Sequence, residues 1–188
     1  MGASDCERVA TGLLAQPVNA VTSLGFVLAG GVLIARALRA PQRQDLPARR
    51  AGAEPFTSAR RSGAPPKPRI EPLVFGASVV ATGLGSALYH GPQPSNADAV
   101  HDLSILAVLS QVAFYEVRYR LRDRPVDPEA FRLALASLGL GAVAFALGRT
   151  SSPLCDPGSP LQLHGVWHLL VALSLAAYGR ARLENPSP

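Results

Sequence analysis

Long stretches almost free of charge dominate this sequence of 188 residues and limit what it can fold into. Each is about as long as the ~17–25 apolar residues that cross a bilayer as one helix. A helix on the surface of a soluble bundle alternates apolar and charged residues every turn, whereas residues 73–90 have no polar face. The pattern predicts an all-α, multi-pass transmembrane bundle of about five helices, forming one domain over residues 1–188. The predicted spans are 17–34, 72–89, 101–117, 131–148 and 161–179.

The positive charge is concentrated between these spans. Only 16% of the residues are charged, yet the net charge is +5 and the pI is about 9.9. Basic residues crowd segment 39–71, residues 118–124 and residues 180–182, which five crossings place on one side of the membrane. The positive-inside rule then predicts a cytoplasmic C-terminus and an outer N-terminus. The basic charge is therefore a topology signal and does not indicate nucleic-acid binding. Segment 39–71 is also rich in Pro, Ala and Ser, which predicts a flexible basic cytoplasmic loop.

The two cysteines, Cys6 and Cys155, both fall on the predicted outer side. On that oxidising side they can form a disulfide, and two free buried thiols are the other interpretation. Heavy use of Ala, Arg, Gly and Pro is typical of a GC-rich bacterial genome, so we expect a bacterial cytoplasmic membrane. The sequence gives no indication of oligomeric state.

The four histidines gather at one depth of the predicted bundle. His90 ends the second span, His101 begins the third, and His164 and His168 lie in the first two turns of the fifth. Ionisable residues at membrane depth are costly, so their convergence from three helices points to a functional site.

The spacing of these histidines favours a metal site. His164 and His168 are separated by four residues and share a helix face, as paired metal ligands do. His90 supplies a third imidazole and shares a face with Ser86, four residues earlier. Three histidines are the donor set of many catalytic zinc sites. Asp102 follows His90 by twelve residues, where a carboxylate can activate water or orient a ligand.

Three alternatives to this ligand set follow from the same residues. His101 can replace His90 as the third ligand, although His90 is preferred because it shares a face with Ser86. Haem is disfavoured, because two histidines on one helix face cannot bind opposite sides of one iron. The histidines can also form a structural, hydrogen-bonded set without metal.

The combination Ser86-x-x-x-His90, Asp102 and His164-x-x-x-His168 resembles the signature of the CREST superfamily of membrane metal-hydrolases. That superfamily includes alkaline ceramidases and the haemolysin-III-like and adiponectin-receptor proteins. The early residues Cys6-Glu7 and 16–19 (Gln-Pro-Val-Asn), with Ser23, also resemble the start of the ceramidase pattern. The resemblance implies that His90, His164 and His168 hold zinc, that Asp102 helps activate water, and that Ser86 supports the site.

The resemblance implies a zinc-dependent hydrolase that cleaves the amide bond of a membrane lipid such as ceramide. The alternative is a haemolysin-III-like or adiponectin-receptor-like protein that retains the metal site with little or no turnover. Two features depart from the family pattern. Five helices are predicted where the family usually has seven. The acidic calcium cluster of ceramidases is represented only by Asp5, Glu7 and Asn19, with Gln16 in place of a carboxylate, which argues against calcium.

Overall fold

A computed structural model describes residues 4–39, 70–123 and 125–184 of the chain. Within these residues the regular structure is helical, which confirms the all-α prediction. Most of the predicted loop at 39–71 lies outside the described residues. Its two ends are helical, because Arg39 ends one helix while Ile70 and Glu71 begin the next. The helices are α1 (Pro17–Thr22), α2 (Leu24–Arg39), α3 (Ile70–His90), α4 (Ala97–Arg120), α5 (Pro128–Leu147) and α6 (Leu163–Gly179), followed by a π-helical turn, Arg180–Glu184.

Four spans within the described residues are long and apolar enough to cross a membrane: Pro17–Arg39, Ile70–His90, Ala97–Arg120 and Pro128–Leu147. The fifth predicted span corresponds to α6, whose 17 residues lie at the short end of the transmembrane range. The third span is the one whose bounds change most, because α4 extends the predicted 101–117 in both directions.

Local side-chain chemistry fixes several helix ends. Pro17 and Pro128 occupy the first turns of α1 and α5, where the missing N–H costs nothing. Asp127 caps α5, since its carboxylate accepts from the backbone N–H groups of Glu129 and Ala130. The first predicted span is interrupted at Ser23, between α1 and α2. Hydroxyl groups that bond to carbonyls of the preceding turn tend to bend helices, and Ser23 Oγ donates to the Asn19 carbonyl at 2.7 Å.

The helices pack in the circular order α4–α3–α2–α6–α5. Helices α2 and α3 approach closely, since a Cβ on Gly30 would collide with the Gly76 carbonyl oxygen. Small residues allow such an approach between membrane helices. Within the described residues, α4 and α5 do not pack against each other as the other neighbouring helices do. The bundle is therefore open between α4 and α5.

The ends of the bundle differ in chemistry, as the sequence predicts. One end gathers the ion pairs between Arg118 and Glu71 and between Arg182 and Glu116. The histidines lie at the opposite end. There Cys6 and Cys155 form a disulfide, which selects between the two interpretations of these cysteines.

Candidate metal centre

Three buried imidazoles meet at the histidine end of the bundle. His90, His164 and His168 are 1%, 7% and 3% exposed, and each offers a nitrogen within 4.8 Å of those of the other two. The ring centroids are 5.1 Å apart for His90–His164, 5.1 Å for His90–His168 and 4.6 Å for His164–His168. The structure therefore brings together the predicted ligand set, and these three histidines can hold a metal ion.

Gln16 orients His90 from the segment before α1. The backbone N–H of Gln16 donates to the His90 carbonyl, and the two side chains meet through His90 Nδ1 and Gln16 Oε1, both at 2.7 Å. The amide nitrogen of Gln16 donates to the Glu7 carbonyl, so its oxygen faces the imidazole. His90 Nδ1 must then carry the proton. Its Nε2 is left bare, buried and without a hydrogen-bond partner among the described residues.

Hydroxyl groups from α1 and the α1–α2 junction orient His168. Its Nδ1 lies 3.2 Å from Thr22 Oγ1 and 3.3 Å from Ser23 Oγ. Both hydroxyls donate to backbone carbonyls, so their oxygens are available to accept from Nδ1–H. The other nitrogen, Nε2, is 3.4 Å from Ser86 Oγ, and Ser86 is 2% exposed. Ser86 therefore lies at the site, where the sequence predicts it.

Among the described residues, Asp5 is the carboxylate that reaches this cluster, although the sequence pattern does not predict it there. Its side chain is 5% exposed, with Oδ1 3.3 Å from His164 Nδ1 and Oδ2 4.0 Å from His90 Nδ1. Burial raises the pKa of Asp5, while the Arg149 guanidinium, 3.4 Å away, opposes that shift. An antiparallel bridge between Asp5 and Arg149 and the adjacent disulfide of Cys6 hold the segment in place.

The pairing of Cys6 with Cys155 is the sequence feature that would have placed Asp5 at the histidine end of the bundle. A bridge to Cys155 brings the N-terminal segment to the loop that leads into α6, nine residues before His164. Asp5 precedes the bridged Cys6 and therefore lies at the histidine end. Glu7, a candidate calcium ligand in the sequence analysis, instead accepts from the backbone N–H groups of Val18 and Asn19 at 2.7 and 2.8 Å.

Asp102 does not reach the cluster, which corrects its predicted position. Its side chain is 79% exposed, and its Oδ1 lies 2.8 Å from His101 Nδ1. His101 lines the cavity, stacks on Tyr89 and has its ring 6.4 Å from that of His90. Helical residues are rotated by ~100° from one to the next, so the face that points His101 inward points Asp102 outward. The contact of Asp102 with the site is through His101.

A cavity of about 690 Å³ extends from the histidines into the bundle. Its wall on α4 is a stripe at helical spacing that includes His101, Ile105, Val108 and Val112. Most of the remaining lining is apolar and comes from α5 and α6, on the opposite side of the opening. The cavity therefore joins one polar, histidine-lined end to a long apolar interior.

Fold and site together define a class of protein: an all-helical chain of membrane-spanning character, with a buried three-histidine cluster at one end. A scan against protein-family models and searches of curated proteins and solved structures find no match to this chain. The CREST resemblance thus rests on the residues quoted above.

Proposed function

We propose that this protein is a zinc-dependent membrane hydrolase that cleaves the amide bond of a lipid such as ceramide. The observation that carries the proposal is the cluster of His90, His164 and His168 at the polar end of an apolar cavity. The motif resemblance to CREST hydrolases supports the same assignment. We further propose the orientation derived from the basic loops, with the site towards the outer face of a bacterial cytoplasmic membrane.

The donor set fits a metal ion. His90 Nε2 is a buried atom without a hydrogen-bond partner in the described part of the chain, an arrangement that costs free energy unless something binds it. His164 Nδ1 makes no hydrogen bond either, although Asp5 Oδ1 lies 3.3 Å from it. Three neutral imidazoles suit zinc and leave a coordination position open for substrate or water. When bound, zinc supplies a Lewis acid that polarises a carbonyl group and makes water more acidic.

Asp5 takes the role that the resemblance gave to Asp102. It is the buried carboxylate beside two of the ligands, so it is placed to accept a proton from the attacking water at a carboxylate oxygen. The same carboxyl group then returns the proton to the leaving amine, so that water is added across the amide bond. Arg149 holds Asp5 in position through the 3.4 Å contact.

Ser86 and His101 complete the polar lining. Because Ser23 donates its own proton to the Asn19 carbonyl, Ser86 donates to Ser23 Oγ at 2.8 Å. By rotating that hydroxyl, Ser86 can donate instead towards a substrate oxygen on which negative charge develops. His101 Nδ1 is held by Asp102, which leaves Nε2 as the nitrogen for interaction with substrate. His101 is therefore a binding residue in this proposal, and Asp102 positions it.

The opening between α4 and α5 suits a substrate that arrives from the bilayer. In a membrane this side of the bundle faces lipid, so a lipid amide can enter laterally with its acyl chain in the apolar interior. The polar amide then lies at the histidine end.

Metal analysis and fatty-acid release test the proposal together. Detergent-purified protein is expected to contain about one zinc per chain, and the double variant His164→Ala/His168→Ala is expected to contain none. The matched variant His101→Ala removes an imidazole outside the ligand set and should keep the metal. Wild-type protein incubated with a panel of lipid amides should release fatty acid, detected by mass spectrometry.

Each arm has an outcome against the proposal. Absence of zinc, or zinc retained in the double variant, refutes the metal site. Zinc bound without release of fatty acid from any lipid amide refutes the enzyme and favours the haemolysin-III-like or adiponectin-receptor-like alternative.

A further inference from the structure

Away from the histidines, the cavity is lined by charged residues of α4, Glu116 and, one turn further on, the exposed Arg120. Glu116 on α4 lines the cavity, and Arg182 in the π-helical turn donates to both of its carboxylate oxygens, at 2.9 Å from Nε and 2.8 Å from Nη2. The side chains are 20% and 9% exposed. A two-point contact of this kind fixes geometry as well as charge.

Aromatic groups flank the Glu116–Arg182 pair. The Arg182 guanidinium lies 5.1 Å from the centre of the Phe131 ring on α5, and Tyr178 on α6 reaches the Val112 carbonyl of α4 at 3.5 Å. Phe131 and Tyr178 also line the cavity. These contacts join α4 to α5 and α6 at the end of the bundle away from the histidines. We call Glu116, Arg182, Phe131 and Tyr178 the cavity floor.

The distance from the histidines to the floor matches one lipid chain. Ten residues separate His168 from Tyr178 on α6, and fifteen separate His101 from Glu116 on α4. At 1.5 Å per residue these are about 15 and 22 Å. One leaflet fills about half of the ~30 Å hydrocarbon core, so an acyl chain of ordinary membrane length reaches from the metal centre to the floor.

We propose that the cavity floor sets the longest acyl chain that the protein accepts, with the Glu116–Arg182 pair as the limiting element. The inference rests on the proposed function, because it takes the cavity to hold the acyl chain of the lipid amide. Each methylene buried along the apolar wall tightens binding about fourfold. A longer chain must displace a partly buried ion pair, which leaves charges without partners. Binding therefore strengthens with chain length up to the floor and weakens beyond it.

The test uses N-acylsphingosines whose saturated acyl chains increase in length, with fatty-acid release measured for each. The double variant Glu116→Ala/Arg182→Ala removes both charges of the pair together. Arg120, whose Nε lies 3.6 Å from Glu116 Oε2, also loses a partner, but it is 76% exposed and remains in contact with solvent. Release from chains beyond the wild-type limit, relative to the optimum, should rise about 16-fold, because two more methylenes become buried. The control Arg180→Ala removes a charge of the same turn, 56% exposed, and should keep the wild-type profile.

A second variant acts in the opposite direction. Val112 lines the cavity one helical turn before Glu116, so Val112→Phe should shorten the limit while the ion pair remains. Unchanged length profiles in both the double variant and Val112→Phe would overturn the inference.

A binding measurement separates this inference from the proposed function. Unlabelled fatty acids of increasing length displace a fluorescent fatty acid from the purified protein, without need of turnover. If no lipid amide is hydrolysed but the length dependence of displacement shifts in the variants, the proposed hydrolysis is wrong. The proposed role of the cavity floor is then still supported. If displacement does not depend on chain length, or if its length dependence is the same in the variants, the cavity floor does not limit chain length, whether or not the protein hydrolyses lipid amides.

Discussion

Removal of the Cys6–Cys155 disulfide should destabilise the protein and loosen the metal centre at the same time. The bridge joins residues 149 positions apart, and the chain-entropy estimate for closing a loop of that length is about 5 kcal/mol. Structure that persists in the denatured state lowers this value, so we expect a loss of about 2–5 kcal/mol. At 2–4 °C per kcal/mol for a chain of this size, Tm should fall by about 10 °C.

Thermal unfolding in detergent measures this loss, with and without a reductant. The variant Cys6→Ser/Cys155→Ser should have the lower Tm both with and without reductant. The Tm of wild-type protein should drop to that value only when the reductant is present. The variant is thus the control for effects of the reductant elsewhere. Zinc should also dissociate more readily, because the segment tied by the bridge carries Asp5 and leads to Gln16, which orients His90.

One result would refute this reasoning. If both thiols become titratable on reduction while Tm stays within about 2 °C of the oxidised value, the bridge does not limit the unfolded chain. The segment would then be held by its hydrogen bonds alone, such as that from Cys6 N–H to the Gly148 carbonyl at 2.9 Å.

Three further predictions concern helix packing and the site. Gly76→Leu should reduce the free energy of unfolding by about 1–3 kcal/mol and lower Tm by several degrees, because a Cβ there lies 2.9 Å from the Gly30 carbonyl oxygen. The control Gly139→Leu, with no described atom within 4 Å of its Cβ, should leave Tm unchanged. Asp5→Asn should reduce fatty-acid release about 10²–10⁴-fold with zinc retained, and Asp102→Asn far less; equal losses would contradict the assignment of Asp5. Gln16→Leu should weaken zinc affinity about 10–100-fold in a chelator competition, and unchanged affinity would mean that Gln16 does not orient a ligand.

The helices and the histidine cluster are the parts that the sequence predicts well. Runs of apolar residues define the spans because crossing a bilayer requires length and hydropathy, which are local properties. The spacing of His164 and His168 places both on one helix face whatever surrounds that helix. Since His90 ends a span on the same side, the depth of all three imidazoles also follows from the order of the spans.

The partners of those imidazoles depend on tertiary structure. Whether a residue of α4 faces the cavity depends on the rotation of that helix against α3, and this rotation turns His101 inward and Asp102 outward. A span prediction carries no such angle. The stripe of His101, Ile105, Val108, Val112 and Glu116 is visible in the sequence, but several faces of an apolar helix look alike until its neighbours are known.

The sequence by itself determined an all-α chain of membrane-spanning character, with basic residues at one end and histidines at the other. Only the tertiary structure decided that Asp5 is the carboxylate at the cluster, that Gln16 fixes the tautomer of His90, and that the bundle is open between α4 and α5, all within the part of the chain that the structure describes. The physical reason is the separation in sequence over which each kind of interaction acts. Hydropathy and helical spacing act within one segment, whereas these features depend on contacts between residues far apart in sequence, including a disulfide across 149 positions.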